Sequence, residues 1–247
     1  MACPLWAGDL AIVMDDVGYS IERAQRVIDL PGPVALGLLP FAPGTPEVAR
    51  RAHAAGREMI LHQPMEAIPA PHVQWIQGTL TLNMDPERFN ELTAAAVTAI
   101  PGIVGVNNHT GSRLTQYREP MQRFMTHLAQ RDLFFLDSRT TAKTVAFDVA
   151  EEQRVPALRR DVFLDHIPNE RAIAAAFGRA LDIARRQGHA IVIAHPYEVS
   201  IRFLETRLYE LPEGVRLVKL ADLITPRHRA TLARLENPEF QRKLLAP

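Results

Sequence analysis

The chain has 247 residues, of which 47% are hydrophobic, and its formal net charge is +0. This composition predicts a folded chain with a large core and excludes a largely disordered one. The balanced charge gives no reason to expect nucleic acid or an anionic membrane as a partner. No apolar run reaches the roughly 18 residues that a membrane span needs.

A single cysteine, Cys3, excludes an internal disulfide and a cysteine-based zinc site. The first residues, MACPLWAGDLAIVM, are apolar but contain no basic segment. We therefore do not interpret them as a signal peptide. The oligomeric state is left open by the sequence.

Short apolar runs alternate with segments of helical periodicity along the chain. The predicted strands are 10–14, 34–38, 58–61, 103–106, 133–136, 161–164, 190–194 and 216–218. Their nearly continuous hydrophobicity is typical of parallel strands buried on both faces. The predicted helices are 20–30, 45–56, a segment from Asp85 that Pro101 closes, 118–130, 169–187 and 198–209.

Seven or eight consecutive strand–helix units predict an α/β fold, a distorted (β/α) barrel of about seven parallel strands. An open doubly wound sheet is the structural alternative. We expect a single domain over residues 1–247, with its core at 10–224 and a helical tail at 225–247. The long irregular segment 66–83 is either a cover for a site or a surface loop.

Polar side chains stand directly after many of these apolar runs. They are Asp15, Asp16, His62, Asn107, Asn108, His109, Asp137, Asp165, His166 and His195. The carboxyl ends of parallel strands meet on one face, and chemistry in such folds takes place there. We therefore predict an active face built from these residues.

Asp15 and Asp16 form a pair of carboxylates at the end of the first strand. Adjacent carboxylates repel, so both rarely stay ionised without a cation or hydrogen-bond donors nearby. Together with His62 and His109, Asp16 would provide a facial set of metal ligands with coordination positions left open. Zinc bound in this way activates water, although non-haem iron uses the same ligand types.

The other strand-end residues allow more than one interpretation. Asn107 and Asn108 either orient His109, donate hydrogen bonds to substrate or form a turn. Asp137 either orients a histidine, binds a sugar hydroxyl or caps a loop. His195, held before Pro196, could act as a general acid, and His166 is a further candidate. The absence of GxGxxG, GxxxxGK and GxSxG argues against nucleotide enzymes and serine hydrolases.

Several strings together resemble the divergent polysaccharide deacetylase family, a branch of the carbohydrate esterase type of deacetylases. They are IVMDDVGYS, LPGPVALGLLPFAPG, LHQPME, GVNNHTGSRLT, LFFLDSRTT, RRDVFLDH and IAHPY, spanning about residues 10–224. The resemblance implies a distorted barrel of about seven strands. It also implies that Asp15 is the general base, Asp16 the metal-binding carboxylate and His195 the general acid.

The chain departs from the better-known deacetylases, which take both histidine ligands from one HxxxH-type motif. Four residues after His62 stands Glu66, so His109 is the expected second ligand. His166 stands where the divergent family more often has a polar residue other than histidine. The resemblance also implies a periplasmic or envelope location.

The leading hypothesis is a metal-dependent hydrolase, with zinc as the expected cofactor, that removes acetyl groups from an acetylated carbohydrate substrate. Supporting roles are expected for Glu66, Asn107, Asn108, Asp137 and His166. The alternative is a catalytically inactive metal- and glycan-binding envelope protein. A phosphoester hydrolase is a weaker third hypothesis, because two-metal phosphatases need more ligands.

Overall fold

The computed structural model describes residues 8–69 and 76–224. Its strands are β1 (Gly8–Val17), β2 (Val34–Leu38), β3 (Met59–Met65), β4 (Gly105–Thr110), β5 (Phe134–Asp137), β6 (Ala157–Arg159), β7 (Val162–Phe163), β8 (His189–Ala194) and β9 (Val215–Leu217). Its α-helices are α1 (Ile21–Ile28), α2 (Thr45–Ala54), α3 (Pro86–Thr98), α4 (Arg118–Ala129), α5 (Ala146–Glu152), α6 (Glu170–Gln187) and α7 (Glu198–Arg207). Short 3-10 helices span Leu114–Gln116 and Leu220–Leu223.

The strands form one parallel sheet in the order β6-β5-β4-β3-β2-β1-β8-β7, with β9 also paired to β1. The sheet curls into a half-barrel covered by helices, so the predicted distorted (β/α) barrel is confirmed. It contains nine strands where about seven were expected. Among the described residues no ladder joins β6 to β7, and the barrel is open at that seam.

Two elements, α5 and β6, are not visible in the sequence pattern. They have seven and three residues, shorter than the windows in which hydrophobic periodicity identifies a helix or a strand. β6 exists because Ala157, Leu158 and Arg159 pair with β5, which is a tertiary contact. The predicted strand 161–164 is also shorter in the structure, where β7 has two residues.

The predicted helix starts at Ser20, Asp85 and Asn169 are confirmed as caps. Each side chain accepts a hydrogen bond from the backbone N–H three residues further on. These bonds satisfy N–H groups that the first turn of a helix leaves without partners. The Ser20 cap ends the loop between β1 and α1 at the carboxyl edge of the sheet.

Separate apolar clusters lie on the two faces of the sheet. In β1, Leu10 and Ile12 pack under the helices, whereas Ala11 and Val13 belong to the cluster inside the curl. The segment 218–224 adds three buried and two partly buried apolar side chains to the inner cluster, next to the amino ends of the strands. Burial on both faces explains why the strands are continuously hydrophobic.

Some predicted features lie outside the described residues. They are the helical tail 225–247 and, within the irregular segment 66–83, Pro71 and Trp75. The assignment of a single domain over the whole chain therefore stays a prediction. Within the described ranges, no helix combines the length and the apolar character needed to cross a membrane.

Candidate metal centre and active site

The structure brings Asp15, Asp16, His62, His109 and His195 together at the carboxyl edge of the sheet. They come from β1, β3, β4 and the residue that follows β8. Because these four strands lie side by side or one strand apart, residues distant in sequence become neighbours in space. The functional roles assigned to them from the sequence remain predictions.

Asp15 and Asp16 reach the same space because β1 is irregular at its end. Its register with β2 shifts between Met14 and Val17, and Asp16 adopts a left-handed φ of 57°. Successive side chains of a regular strand point to opposite faces. Here both carboxylates approach His62, Asp15 Oδ1 at 3.5 Å from Nδ1 and Asp16 Oδ1 at 3.2 Å from Nε2. Backbone strain of this kind is concentrated at functional positions.

Asp16, His62 and His109 form a compact set of three potential metal ligands. Asp16 Oδ1 lies 2.7 Å from His109 Nδ1, and the two histidine nitrogens that face each other are 3.1 Å apart. The imidazole rings are nearly perpendicular, at 83°. Ligand atoms of a tetrahedral zinc site lie about 3.3 Å from one another, so the triangle has the size that a metal requires.

The electrostatics of this cluster favour a positive charge at its centre. Asp16 Oδ1 is buried and accepts no hydrogen bond of good geometry from the described residues, although two imidazole nitrogens face it. Burial would raise the pKa of Asp16, but His109 and His62 outweigh it and lower that pKa far below its usual range. Burial lowers the pKa of His62, yet the Asp15 and Asp16 carboxylates raise it overall. Carboxylate and imidazole donors arranged in this way fit a divalent transition metal.

Asn107 determines which nitrogen of His62 carries the proton. Its amide nitrogen donates to Asp15 Oδ2 at 2.7 Å, since an ionised carboxylate can only accept. Its amide oxygen therefore faces His62 Nδ1, 2.8 Å away, and accepts the Nδ1 proton. This tautomer directs the Nε2 lone pair of His62 toward Asp16 and His109, the form in which imidazole binds a metal.

Asp15 is enclosed by its neighbours and 1% exposed. Burial raises its pKa, and the nearby Asp16 adds to this, against the lowering influence of His62, His195 and Asn107. Its Oδ1 is buried and accepts no hydrogen bond from the described residues. A Cβ atom at Gly37 of β2 would overlap this oxygen, so the glycine provides the space that Asp15 occupies.

His195 is held by Asp165, a residue for which the sequence suggested no role. Asp165 Oδ1 lies 2.9 Å from His195 Nδ1, and Oδ2 accepts bonds from the His195 backbone N–H and the Ser200 hydroxyl. Burial lowers the pKa of His195, but Asp165 and Asp16 raise it to about 8. The other ring nitrogen, Nε2, lies 3.9 Å from Asp16 Oδ2 and faces the metal cluster.

His166, in contrast, is not brought into the cluster. It is exposed, and its ring packs edge-on against Phe163 at 5.9 Å. Asp165, the preceding residue, is 2% exposed and is directed at His195 and Ser200. The signal that could have identified Asp165 is its position directly after an apolar run in DVFLDH.

Asn108 and Asp137 stabilise the loop that follows β5. Asn108 Oδ1 accepts a hydrogen bond from the Ser138 N–H at 3.0 Å. Asp137 accepts bonds from the Arg139 N–H at 2.8 Å and the Thr144 hydroxyl at 2.9 Å. Of the interpretations left open for Asp137, loop capping is the one that these contacts support.

Glu66 ties the irregular segment 66–83 to the loop after β4. Its carboxylate accepts a bond from the Leu82 N–H at 2.7 Å and pairs with Arg113 at 2.8 Å. Within the described residues, both carboxylate oxygens of Glu66 thus have a partner. Glu66 is not part of the cluster of Asp16, His62 and His109, and its predicted supporting role stays a prediction.

A cleft of about 200 Å³ opens on the His195 side of the cluster. Its lining includes Asp16, Tyr19, Arg23, His195 and Tyr197. The β1–α1 loop forms one wall and the residues after β8 form the other. The cleft therefore gives access to the potential metal ligand Asp16 and to the potential acid His195 at once.

The parallel half-barrel, with these residues at its carboxyl edge, has the deacetylase-like (β/α) barrel fold. The family model described as divergent polysaccharide deacetylase matches residues 12–224, and the chain belongs to this family.

The chain is also similar to a curated protein and to a solved structure, both described as uncharacterized. The chain is 37% identical over 224 residues to the uncharacterized protein YibQ of Escherichia coli K12, covering 91% of this chain and 70% of that protein. The crystal structure of an uncharacterized protein from Agrobacterium tumefaciens C58 has a TM-score of 0.76 at 27% identity, covering 80% of this chain and 81% of that one.

More distant structures share the fold alone. The peptidoglycan deacetylase PdaC from Bacillus subtilis has a TM-score of 0.53 at 13% identity, with 99% of this chain and 100% of that one covered. A CE4 family pseudoenzyme from Bacillus anthracis has a TM-score of 0.51 at 11% identity, with 85% of this chain and 64% of that one covered.

Proposed function

We propose that this protein is a metal-dependent hydrolase that removes an acetyl group from an acetylated sugar of a glycan, with zinc as the metal. The observation that carries the proposal is that two acid–base groups, Asp15 and His195, flank one three-ligand cluster. The adjacent carboxylates have opposite pKa shifts, raised for Asp15 and lowered for Asp16. Environments that separate the pKa values of neighbouring acids mark a division of catalytic roles.

In the proposed reaction, the three metal ligands, Asp15 and His195 have separate roles. A divalent ion held by Asp16, His62 and His109 would supply Lewis acidity toward the acyl oxygen and the attacking water. Asp15 accepts a proton from that water, whose oxygen forms a bond to the acyl carbon. His195 donates a proton to the sugar nitrogen or oxygen as its bond to the acyl carbon breaks, and acetate leaves.

Acetate release tests this proposal. Zinc-loaded wild type, Asp15→Asn and His109→Ala would be assayed on acetylated glycan oligomers and peptidoglycan fragments, with His166→Ala as a matched control. We expect release by wild type and His166→Ala only, with zinc retained by Asp15→Asn. Zinc and glycan binding by wild type without acetate release would favour the alternative, a non-catalytic metal- and glycan-binding protein.

We also propose that the protein acts in the cell envelope. The support is the proposed substrate class, together with the peptidoglycan deacetylase that shares the fold. Fractionation of cells that express the protein tests this, and recovery with the cytosolic fraction alone would contradict it.

A further inference from the structure

We propose that Arg23 binds an anionic substituent of the substrate in the cleft beside His195, so that the preferred substrates are acidic acetylated glycans. The inference rests on the proposed deacetylase function and specifies its substrate class. The recognised group is a carboxylate or a phosphate carried by the sugar, since both suit the guanidinium group.

The position of His195 decides where the sugar lies. Its Nδ1 is occupied by Asp165, so Nε2 is the atom that can give a proton to the leaving group. The sugar carries that leaving atom and must therefore lie beside Nε2. The cleft is lined by both His195 and Asp16 and therefore meets this condition.

The walls of the cleft suit a sugar ring. Tyr19 and Tyr197 both line the cleft and are 61% and 44% exposed, so their rings are accessible to a ligand there. The Tyr197 ring lies 5.7 Å from the His195 ring, so one aromatic surface is next to the proposed proton donor. Rigid aromatic faces with a polar hydroxyl provide both apolar contact and hydrogen bonding.

Arg23 differs from Arg26, which lies one turn further along α1. Arg26 is neutralised by Glu198 at 2.7 Å and Glu205 at 2.8 Å, and these pairs join α1 to α7. Arg23 only approaches the Pro196 carbonyl at 3.5 Å, and within residues 8–69 and 76–224 no carboxylate lies within ion-pair distance of it. A cation in the first turn of a helix gains nothing from the helix dipole, so local helix stability does not explain Arg23.

The charge in the cleft is thus available to a ligand. Asp16 also lines the cleft, but its carboxylate is directed at His62 and His109. The guanidinium of Arg23 retains donors for a bidentate contact with an oxyanion. An acidic sugar would therefore place its ring between the tyrosines and its anionic group on Arg23.

Calorimetry on zinc-loaded Asp15→Asn protein tests the inference without turnover. One pair of probes is a hyaluronan tetrasaccharide and the neutral tetra-N-acetylchitotetraose, and the other is N-acetylglucosamine 6-phosphate and N-acetylglucosamine. We expect the acidic member of at least one pair to bind about tenfold more tightly than its neutral match. The pair that shows the preference identifies carboxylate or phosphate as the recognised group.

Arg23→Gln, added to this background, should abolish the preference. Arg179→Gln, which removes an exposed charge from α6 away from the cleft, should preserve it. Equal binding of acidic and neutral probes, a preference that survives Arg23→Gln, or no binding of any probe would overturn the inference. Acetate release by wild type is measured separately, so a preference without release would refute the deacetylase proposal and leave the anion site intact.

Discussion

The Nδ1 nitrogen of His62 lies 2.8 Å from the side-chain oxygen of Asn107, whose amide nitrogen lies 2.7 Å from Asp15. One amide thus connects a potential metal ligand to the potential general base. The two contacts together require the amide orientation that directs Nδ2 at Asp15, and they require a proton on Nδ1 of His62. Asn107 is therefore a positioning residue for both halves of the site.

Replacing Asn107 by leucine should weaken zinc binding about 10- to 100-fold, because His62 loses the acceptor that orients it. A chelator-competition titration measures the change. Asn90→Leu is the matched control, since Asn90 contacts His127 at 3.1 Å on the surface and lies away from the cluster. Wild-type affinity in Asn107→Leu would refute the proposed tautomer control.

Removing a ligand should remove the metal. We expect Asp16→Asn and His109→Ala to lose stoichiometric zinc on dialysis, whereas His166→Ala retains it because His166 is exposed and outside the cluster. Elemental analysis measures metal content, and the zinc-dependent rise in melting temperature provides a second readout, since a ligand bound only by the native state stabilises it. Full zinc occupancy in either ligand variant would refute the ligand set.

The Asp165 carboxylate should control the titration of His195. Asp165 and Asp16 together raise the His195 pKa to about 8, against the lowering effect of burial. Asp165→Asn should therefore lower that pKa, as measured by NMR titration of the imidazole. A histidine with a raised folded-state pKa stabilises the protein fully below its unfolded value near 6.5, and this contribution is lost as pH rises through about 8. In the proposed enzyme, activity should fall over the same upper range as the acid loses its proton.

Asp161→Asn is the control for this experiment. Asp161 accepts a bond from the Ile191 N–H at 2.8 Å, as Asp165 does from His195, but it contacts no histidine in the described structure. The His195 pKa should not change in this variant. An equal shift in both variants would indicate a general electrostatic effect.

Gly37→Ala should disrupt the site, because the added Cβ would overlap Asp15 Oδ1. We expect loss of activity with a fold destabilised by roughly 1–3 kcal/mol, the usual cost of overpacking. Gly178→Ala in α6 is the opposite case, since nothing lies within 4 Å of its added Cβ. There we expect stabilisation of about 0.5–1 kcal/mol. Urea unfolding and acetate release compare the two, and an active, stable Gly37→Ala protein would contradict the prediction.

Glu58 lies at the end of the barrel opposite the candidate site. It should make the free energy of unfolding depend on pH. Its side chain is half-buried. The carboxylate accepts bonds from the Leu220 and Ala221 N–H groups, and desolvation raises its pKa to about 7. Between an unfolded pKa near 4.5 and about 7, the folded state keeps the proton that the unfolded state releases, so stability falls as pH rises. The loss amounts to about 3 kcal/mol above pH 7.

Urea unfolding of wild type and Glu58→Gln at pH 5 and pH 8 measures this contribution. The difference in unfolding free energy between the two proteins should change in favour of the variant at pH 8, because glutamine stays neutral. A difference that does not vary with pH would show that Glu58 is ionised throughout.

Much of the site could be predicted from the sequence, because its residues directly follow apolar strands. Asp15, Asp16, His62, His109 and His195 were all identified in this way, and the structure brings them together. His166 and Asp165 could not be ranked, since side-chain direction after β7 depends on how that two-residue strand is placed. The ion pairs between Arg26 and the α7 carboxylates could not be predicted either, because the partners are more than 170 residues apart in sequence.

The sequence by itself determined the parallel α/β architecture and the strand ends at which chemistry is expected. Continuous apolar runs and helix caps are local signals, and they carry that information without long-range contacts. Only the tertiary structure decided that His62 and His109 meet Asp16, that Asn107 orients His62 and that Asp165 supports His195. These relationships depend on strand register, on the irregular end of β1 and on side-chain direction, which arise only when distant segments pack together.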